Sequence, residues 1–252
     1  MRRRAQAQCT LALVFLLASA VHAQNAFEPP SAAGIFNRYV AATGGQAAYD
    51  RIQNQITAIT LTRDGQAVGH STYYQTRAGD FRLIDVAGDQ TTETGLNAGV
   101  AWRKTPESAE LLESEGERGR VLRDAVMLPE SQWRRFYKDA VFETGAPVEG
   151  KSCYQVAATP FVGQFQRLWF DDESGLLVKQ EVTEPEGSVE FLFEDYSDAG
   201  AGLRMARKQT IQVNGVTFVV TVDRVQFNQP IPASTFDLPP EIARLLKKKS
   251  AQ

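Results

Sequence analysis

Cysteine and histidine are nearly missing from this chain: Cys9, Cys153, His22 and His70 are all there are in 252 residues. Cys9 and His22 fall inside an N-terminal stretch that reads as a removable leader, which leaves one of each. One cysteine cannot form an intramolecular disulfide, so the core must hold the fold. A single His and a single Cys cannot build a His/Cys metal cluster unless carboxylates dominate it, and no metal site is expected. Spacing leaves open a Cys153–His70 nucleophilic pair. However, Cys153 opens a strand-like run between Ser152 and Tyr154, where a small buried residue is the commoner role. The chain also lacks Gly-x-Ser-x-Gly, His-Glu-x-x-His and a phosphate-cradling Gly loop. No apolar run reaches the roughly 20 residues of a membrane span. Positive charge is short as well. Without residues 1–23 the chain has 24 basic against 30 acidic residues, a formal charge of −6. That argues against nucleic acid as a partner, since such binding relies on cationic neutralisation of phosphates.

What is present begins with the leader. Met1-Arg2-Arg3-Arg4 precedes an apolar run over 10–20 (Leu11, Leu13, Val14, Phe15, Leu16, Leu17), which closes on Val21-His22-Ala23. A basic start, a short apolar stretch and small residues before a cut make a secretory signal peptide. The expected mature chain is 24–252, working in the periplasm without ATP, NAD or a reducing thiol pool. Gln24 rather than Cys follows the cut, so no lipid anchor is expected.

The mature chain reads as one domain. Ser31 caps a helix that buries Ile35, Phe36, Tyr39 and Val40 and ends at Gly44-Gly45. A short second helix carries Ala48, Tyr49 and Ile52. The period then changes to two. Strands are expected around Ile59 and Leu61, over 70–77, over 80–86, and over 95–103 with Asn97-Ala98-Gly99 as a turn. Residues 105–140 break this pattern. They read as a charged helical insertion, with a helix over 130–137 carrying Trp133, Phe136 and Tyr137. Strands resume over 153–158, 166–171, 176–182 and 189–194. Residues 207–213 and 216–227 then flank Asn214-Gly215, a strong hairpin signal. In the last strand Phe218, Val220 and Val222 fall on one face, and Val219, Thr221 and Val225 on the other. Pro240 opens a C-terminal helix with Ile242, Leu245 and Leu246 on one stripe and Lys247-Lys248-Lys249 at its end.

The fold class is therefore α+β: a curled antiparallel sheet of about ten strands, an unclosed half-barrel with helices over its concave side. Such a sheet leaves an apolar concavity, a common form of ligand site. Candidate lining residues, taken from alternating strand positions, are Phe81, Leu83, Trp102, Leu168, Phe170, Phe191, Phe193, Phe218 and Val220. Period two groups each set on a face without saying which face is concave.

Several segments, in order, resemble a known family. They are Tyr39-Val40-Ala41-Ala42-Thr43-Gly44-Gly45, Gly95-Leu96-Asn97-Ala98-Gly99-Val100-Ala101-Trp102, Glu149-Gly150-Lys151-Ser152-Cys153-Tyr154, Leu168-Trp169-Phe170-Asp171, Phe193-Glu194-Asp195-Tyr196, Asn214-Gly215, and Phe236-Asp237-Leu238-Pro239. Together they span most of 32–240 and resemble exported outer-membrane lipoprotein-sorting proteins of the LolA/LolB/RseB-like superfamily. The resemblance implies an unclosed β-barrel with a helical lid that holds acyl chains of lipids or lipoproteins, with no cofactor and no catalytic residue.

Three functions follow. The first is a periplasmic carrier or binding protein for a lipid or lipoprotein acyl chain. The second is a protein-interaction or envelope-stress sensing module with an envelope protein as partner, docking through 105–140. The third is a hydrolase using carboxylates from Asp171-Asp172-Glu173 with Glu190, Glu194 and Asp195. Residues 171–175 also read as a hairpin turn, where Asp and Gly occur for backbone reasons.

Overall fold

A computed structural model describes residues 30–184 and 187–250. The leader read over 1–23 lies outside them. None of the described helices is long and apolar enough to cross a membrane.

Ser31 does cap the first helix, α1 (Ala32–Ala42): its hydroxyl accepts from the Gly34 N–H at 3.1 Å. The helix ends at Thr43, whose hydroxyl donates to the Tyr39 carbonyl. Gly44 follows at φ +131°, and a Cβ there would sit 2.3 Å from the Gly202 carbonyl oxygen. Only glycine allows so close an approach in that conformation. Helix α2 (Gln46–Asp50) comes next, with Ala48, Tyr49 and Ile52 buried.

The strands are β1 (Asn54–Arg63), β2 (Gln66–Thr76), β3 (Phe81–Ala87), β4 (Gln90–Asn97), β5 (Val100–Lys104), β6 (Ala109–Leu111), β7 (Tyr137–Glu143), β8 (Cys153–Pro160), β9 (Gln166–Asp171), β10 (Leu177–Glu184), β11 (Gly187–Gly200), β12 (Leu203–Val213) and β13 (Val216–Phe227). They form one antiparallel sheet of 13 strands in the order 6-5-4-3-2-1-13-12-11-10-9-8-7. The sheet is two meanders joined along one seam, where β1 meets β13 from Gln55↔Phe227 to Thr62↔Val219. β6 and β7 are the two free edges, so the barrel is unclosed.

The half-barrel class is as expected, with three more strands than the sequence pattern shows. Polar β4 (Gln-Thr-Thr-Glu-Thr-Gly-Leu-Asn) has no apolar alternation, so it merged with β5. β6 has three residues. β7 hides behind a helix expected over 130–137. There the chain forms a 3-10 turn (Pro129–Gln132) and a four-residue α4 (Trp133–Phe136), then goes extended at Tyr137. Helix α3 (Glu115–Asp124) precedes them, capped by the Ser114 hydroxyl, which accepts from the Glu117 N–H at 3.3 Å and donates to the Glu117 carboxylate at 2.7 Å. Helix α5 (Pro240–Ser250) closes the chain.

Cross-strand partners identify the two faces. Gln55, Thr57, Ile59 and Leu61 of β1 share one face with Tyr73 of β2, Leu83 and Phe81 of β3, and Val222 and Val220 of β13. This inner face carries α1, α3 and α4. Phe36 of α1 packs on Phe170, Trp133 and Tyr137 at centroid distances of 5.5, 5.2 and 5.6 Å. Under α3, Val121 and Ala125 cluster with Phe81, Leu96 and Ala101. The last strand departs from simple alternation: the register slips by one residue between Val222 and Arg224. This bulge returns Val225 to the same inner face as Val222.

Candidate functional site

Between the two helix-covered flanks the inner face stays open over its central strands. A cavity of about 680 Å³ lies there. Its floor is Val182 of β10, Val189 and Phe191 of β11, and Val213 of β12. Its roof comes from Val126, Pro129 and Phe136 in the segment that follows α3. A second cavity, about 300 Å³, lies toward α1 and α2, among Tyr39, Tyr49, Gln55, Phe193, Tyr196 and Gln209. Val126, Pro129, Glu130, Gln180 and Phe191 line both, so the two adjoin.

The roof is tied down by named bonds. Gln75 donates to the Asp124 carbonyl at 2.8 Å, and Gln132 to the Met127 carbonyl at 2.7 Å. Leu128, at φ +54°, makes the sharp bend that turns Glu130 into the cavity. Leucine seldom adopts that conformation. In β11, Asp195 at φ +56° kinks the strand, and Phe193 and Tyr196 both line the smaller cavity.

This inner space is less apolar than its fold suggests. Gln166 is buried at the edge of the larger cavity, where its carbonyl oxygen accepts from the Tyr137 hydroxyl at 2.9 Å and the Gln180 amide at 3.0 Å. Burial raises the Glu130 carboxyl above its ordinary value. Burial also raises all four nearby tyrosines, Tyr39, Tyr49, Tyr137 and Tyr196, with Tyr49 pushed up to about 12. The Glu130 charge acts in the same direction on each of them. At the mouth of the larger cavity, Arg123 and Arg120 pair with Glu184 at 3.7 and 3.9 Å.

The nine residues expected to line a concavity separate into distinct groups. Phe191 lines both cavities and Phe193 the smaller one. Leu168, Phe170, Phe81 and Val220 face inward but are buried in the packing. Leu83 and Phe218 face inward half-buried, outside both cavities. Trp102 is a correction: it pairs with Gly95 and lies on the outer face, away from Phe81. A Cβ on Gly95 would come 2.4 Å from the Trp102 ring, so this glycine is the seat of the indole. Arg82 stacks over the same ring, 5.7 Å from its centroid.

Sequence reasoning missed Glu130, Tyr196 and the glutamines. The glutamines left a trace, because Gln55, Gln166 and Gln180 stand at inward positions where period two calls for an apolar residue. Glu130 left none, being one acid among many in a charged block.

The other candidate chemistry has structural work. Asp171 accepts from the Glu173 and Ser174 N–H groups and the Ser174 hydroxyl. Burial works to raise its carboxyl, but these hydrogen bonds outweigh it and hold the pKa low. That is the reverse of what a general acid needs. The Asp172 and Glu173 carbonyls accept from Arg38, which fixes the turn against α1. Cys153 is buried beside Trp169 and Val178, and burial raises its thiol. It lies on β8, seven strands along the sheet from His70 on β2. His70 Nδ1 instead meets Thr60, whose hydroxyl lies 2.8 Å from Asp223.

No family model matches the chain, and no curated protein matches it in sequence. Solved structures do match. A LolA superfamily protein from Nitrosomonas europaea aligns with TM-score 0.57 at 12% identity, over 82% of this chain and 98% of the other. A DUF1329 family protein from Desulfovibrio piger aligns with TM-score 0.56 at 13% identity, over 82% and 97%. A putative outer membrane lipoprotein-sorting protein domain from Vibrio parahaemolyticus gives 0.54 at 11%, over 84% and 97%. The chain has the LolA-like fold that its sequence segments resemble.

Proposed function

We propose that the mature chain is an exported, periplasmic binding or carrier protein that holds the acyl chain of a lipid or lipoprotein in the central groove. The observation that supports this most directly is the groove itself. Its volume, about 680 Å³, falls within the roughly 300–1,000 Å³ of small-molecule pockets. Val182, Val189, Phe191 and Val213 give it an apolar floor. Each methylene taken out of water gains ~0.8 kcal/mol. About ten of them supply roughly 8 kcal/mol, the scale of micromolar binding before the entropic costs of association. Carrying such a chain needs no nucleophile and no cofactor. The fold it shares with a putative lipoprotein-sorting domain is consistent with that task.

The test is mass spectrometry of organic extracts from the mature protein, purified from periplasm without detergent. A stoichiometric acylated species on a monomer is expected. A ligand-free protein that takes up no acyl chain when offered one would sink the reading.

One observation favours the second reading, a protein-interaction or sensing module. Phe161 and Val162, on the loop between β8 and β9, are 64% and 42% exposed, and Val162 lies beside Gly119 of α3. Two exposed apolar side chains next to the lid form a small docking patch. A stable complex on pulldown with an envelope protein, lost in Phe161→Ser, would support that reading over the carrier.

A further inference from the structure

Glu130 lies where the two cavities meet. Among the described residues no side chain forms an ion pair or hydrogen bond with its carboxylate, whereas the cations nearest the larger cavity are engaged elsewhere. Arg123 meets Asp124 and Glu184, and Arg120 meets Glu184.

Three of the tyrosines around Glu130 have committed their protons. Tyr137 donates to Gln166 Oε1, Tyr49 to Thr43 Oγ1 at 2.7 Å, and Tyr196 to the Leu177 carbonyl at 2.9 Å. The Tyr39 hydroxyl shares the lining of the smaller cavity with Tyr49 and Tyr196. In the smaller cavity Gln55 gives its amide to Thr57 at 2.7 Å, and its Oε1 is buried with no partner. The smaller cavity therefore offers two acceptors, a carboxylate and an amide oxygen, and no Arg or Lys is among its lining residues. A buried acceptor without a donor, as Gln55 Oε1 is, is costly, and one at a cavity wall can be satisfied by what enters.

We propose that this acceptor-lined pocket at Glu130 seats a protonated amine, so that the ligand is an amphiphile with an ammonium head and its alkyl part along Val189 and Phe191. This rests on the binding reading above and adds the head group. An ammonium brings three donors and the complementary charge. A fatty-acid carboxylate placed there would meet Glu130 as a like charge, and an alcohol would supply one donor and no charge.

The experiment is competition binding to the mature chain at about pH 7.5, where alkyl amines are cationic and fatty acids anionic. The probes are dodecylamine, dodecanol and dodecanoate. Wild type is expected to bind the amine about tenfold more tightly than the alcohol, as for a charge-assisted hydrogen bond, with dodecanoate weakest. Glu130→Gln should remove the amine's advantage over dodecanol, with exposed Glu107→Gln as the control that keeps it. The wild-type ranking stands as a test even if Glu130→Gln does not fold. Binding of all three probes without preference overturns the head-group assignment and leaves the groove as a chain-binding site. A preference that survives Glu130→Gln overturns the role of Glu130. No binding of any probe to the folded protein overturns both this inference and the binding reading.

Discussion

The flank under α1 and the floor of the central groove come from the same kind of strand, yet they end in different states. On the flank, Val156, Leu168, Phe170 and Leu177 face inward and are at most 2% exposed. Phe36 and Tyr39 meet Phe170 edge-on at 5.5 and 5.8 Å. On the floor, Val189, Phe191 and Val213 face inward by the same alternation and stay half-exposed. The difference is the cover. Helix α1 is short and fixed at both ends, by the Ser31 cap and by Gly44 against Gly202, so its reach stops at the flank. Alternation decides which face a side chain takes, whereas helix placement decides whether that face becomes core or site.

The largest expected effect breaks the closed side. Phe170→Ala should cost about 3–5 kcal/mol, as for other buried aromatics, read as a lower midpoint in denaturant unfolding. Next is the closed outer face at Trp102. Gly95→Ala forces a methyl against the indole and should cost about 1–3 kcal/mol, with a shift in Trp fluorescence. The open side should respond differently. Phe191→Ala should cost under about 1.5 kcal/mol in stability, because part of the ring is already in water, while weakening dodecanol binding about tenfold. A stability loss as large as that of Phe170→Ala would mean that the floor is core.

The smallest effect sharpens the comparison by pH. The folded-state pKa of Glu130 is raised above its unfolded value, near 4.5, by burial. The stability linked to its neutral form is therefore fully present below that value and is lost as pH rises through the folded pKa. Glu130→Gln escapes this loss. Its melting temperature should match wild type near pH 4 and exceed it at pH 8, at about 2–4 °C per kcal/mol for a chain of this size. An equal offset at both pH values would show that ionisation of Glu130 costs the fold nothing.

Much of the chain was legible residue by residue. The cap at Ser31, the end at Gly44-Gly45 and the hairpin at Asn214-Gly215 appear where their local chemistry places them. Local signals failed where they were absent or overridden. Polar β4 carries no alternation, and β7 begins inside a stretch with helical spacing because its partner β8 supplies the hydrogen bonds. The bulge at Asp223 reverses the face of Val225, since one extra residue in a strand inverts every side chain beyond it.

The sequence by itself determined an antiparallel α+β half-barrel, the strand faces as far as the bulge, and a poverty in His and Cys that leaves no intramolecular disulfide in 24–252. Only the tertiary structure decided that Trp102 lies outside, that Phe191 lines a groove while Phe170 fills a core, and that Glu130 lines cavities it shares with four tyrosines, with no ion-pair partner among the described residues. Alternation and capping are written within a few residues of one another. Coverage and charge pairing depend on elements far apart in the chain, which meet only when the seam between β1 and β13 and the docking of α1 bring them together.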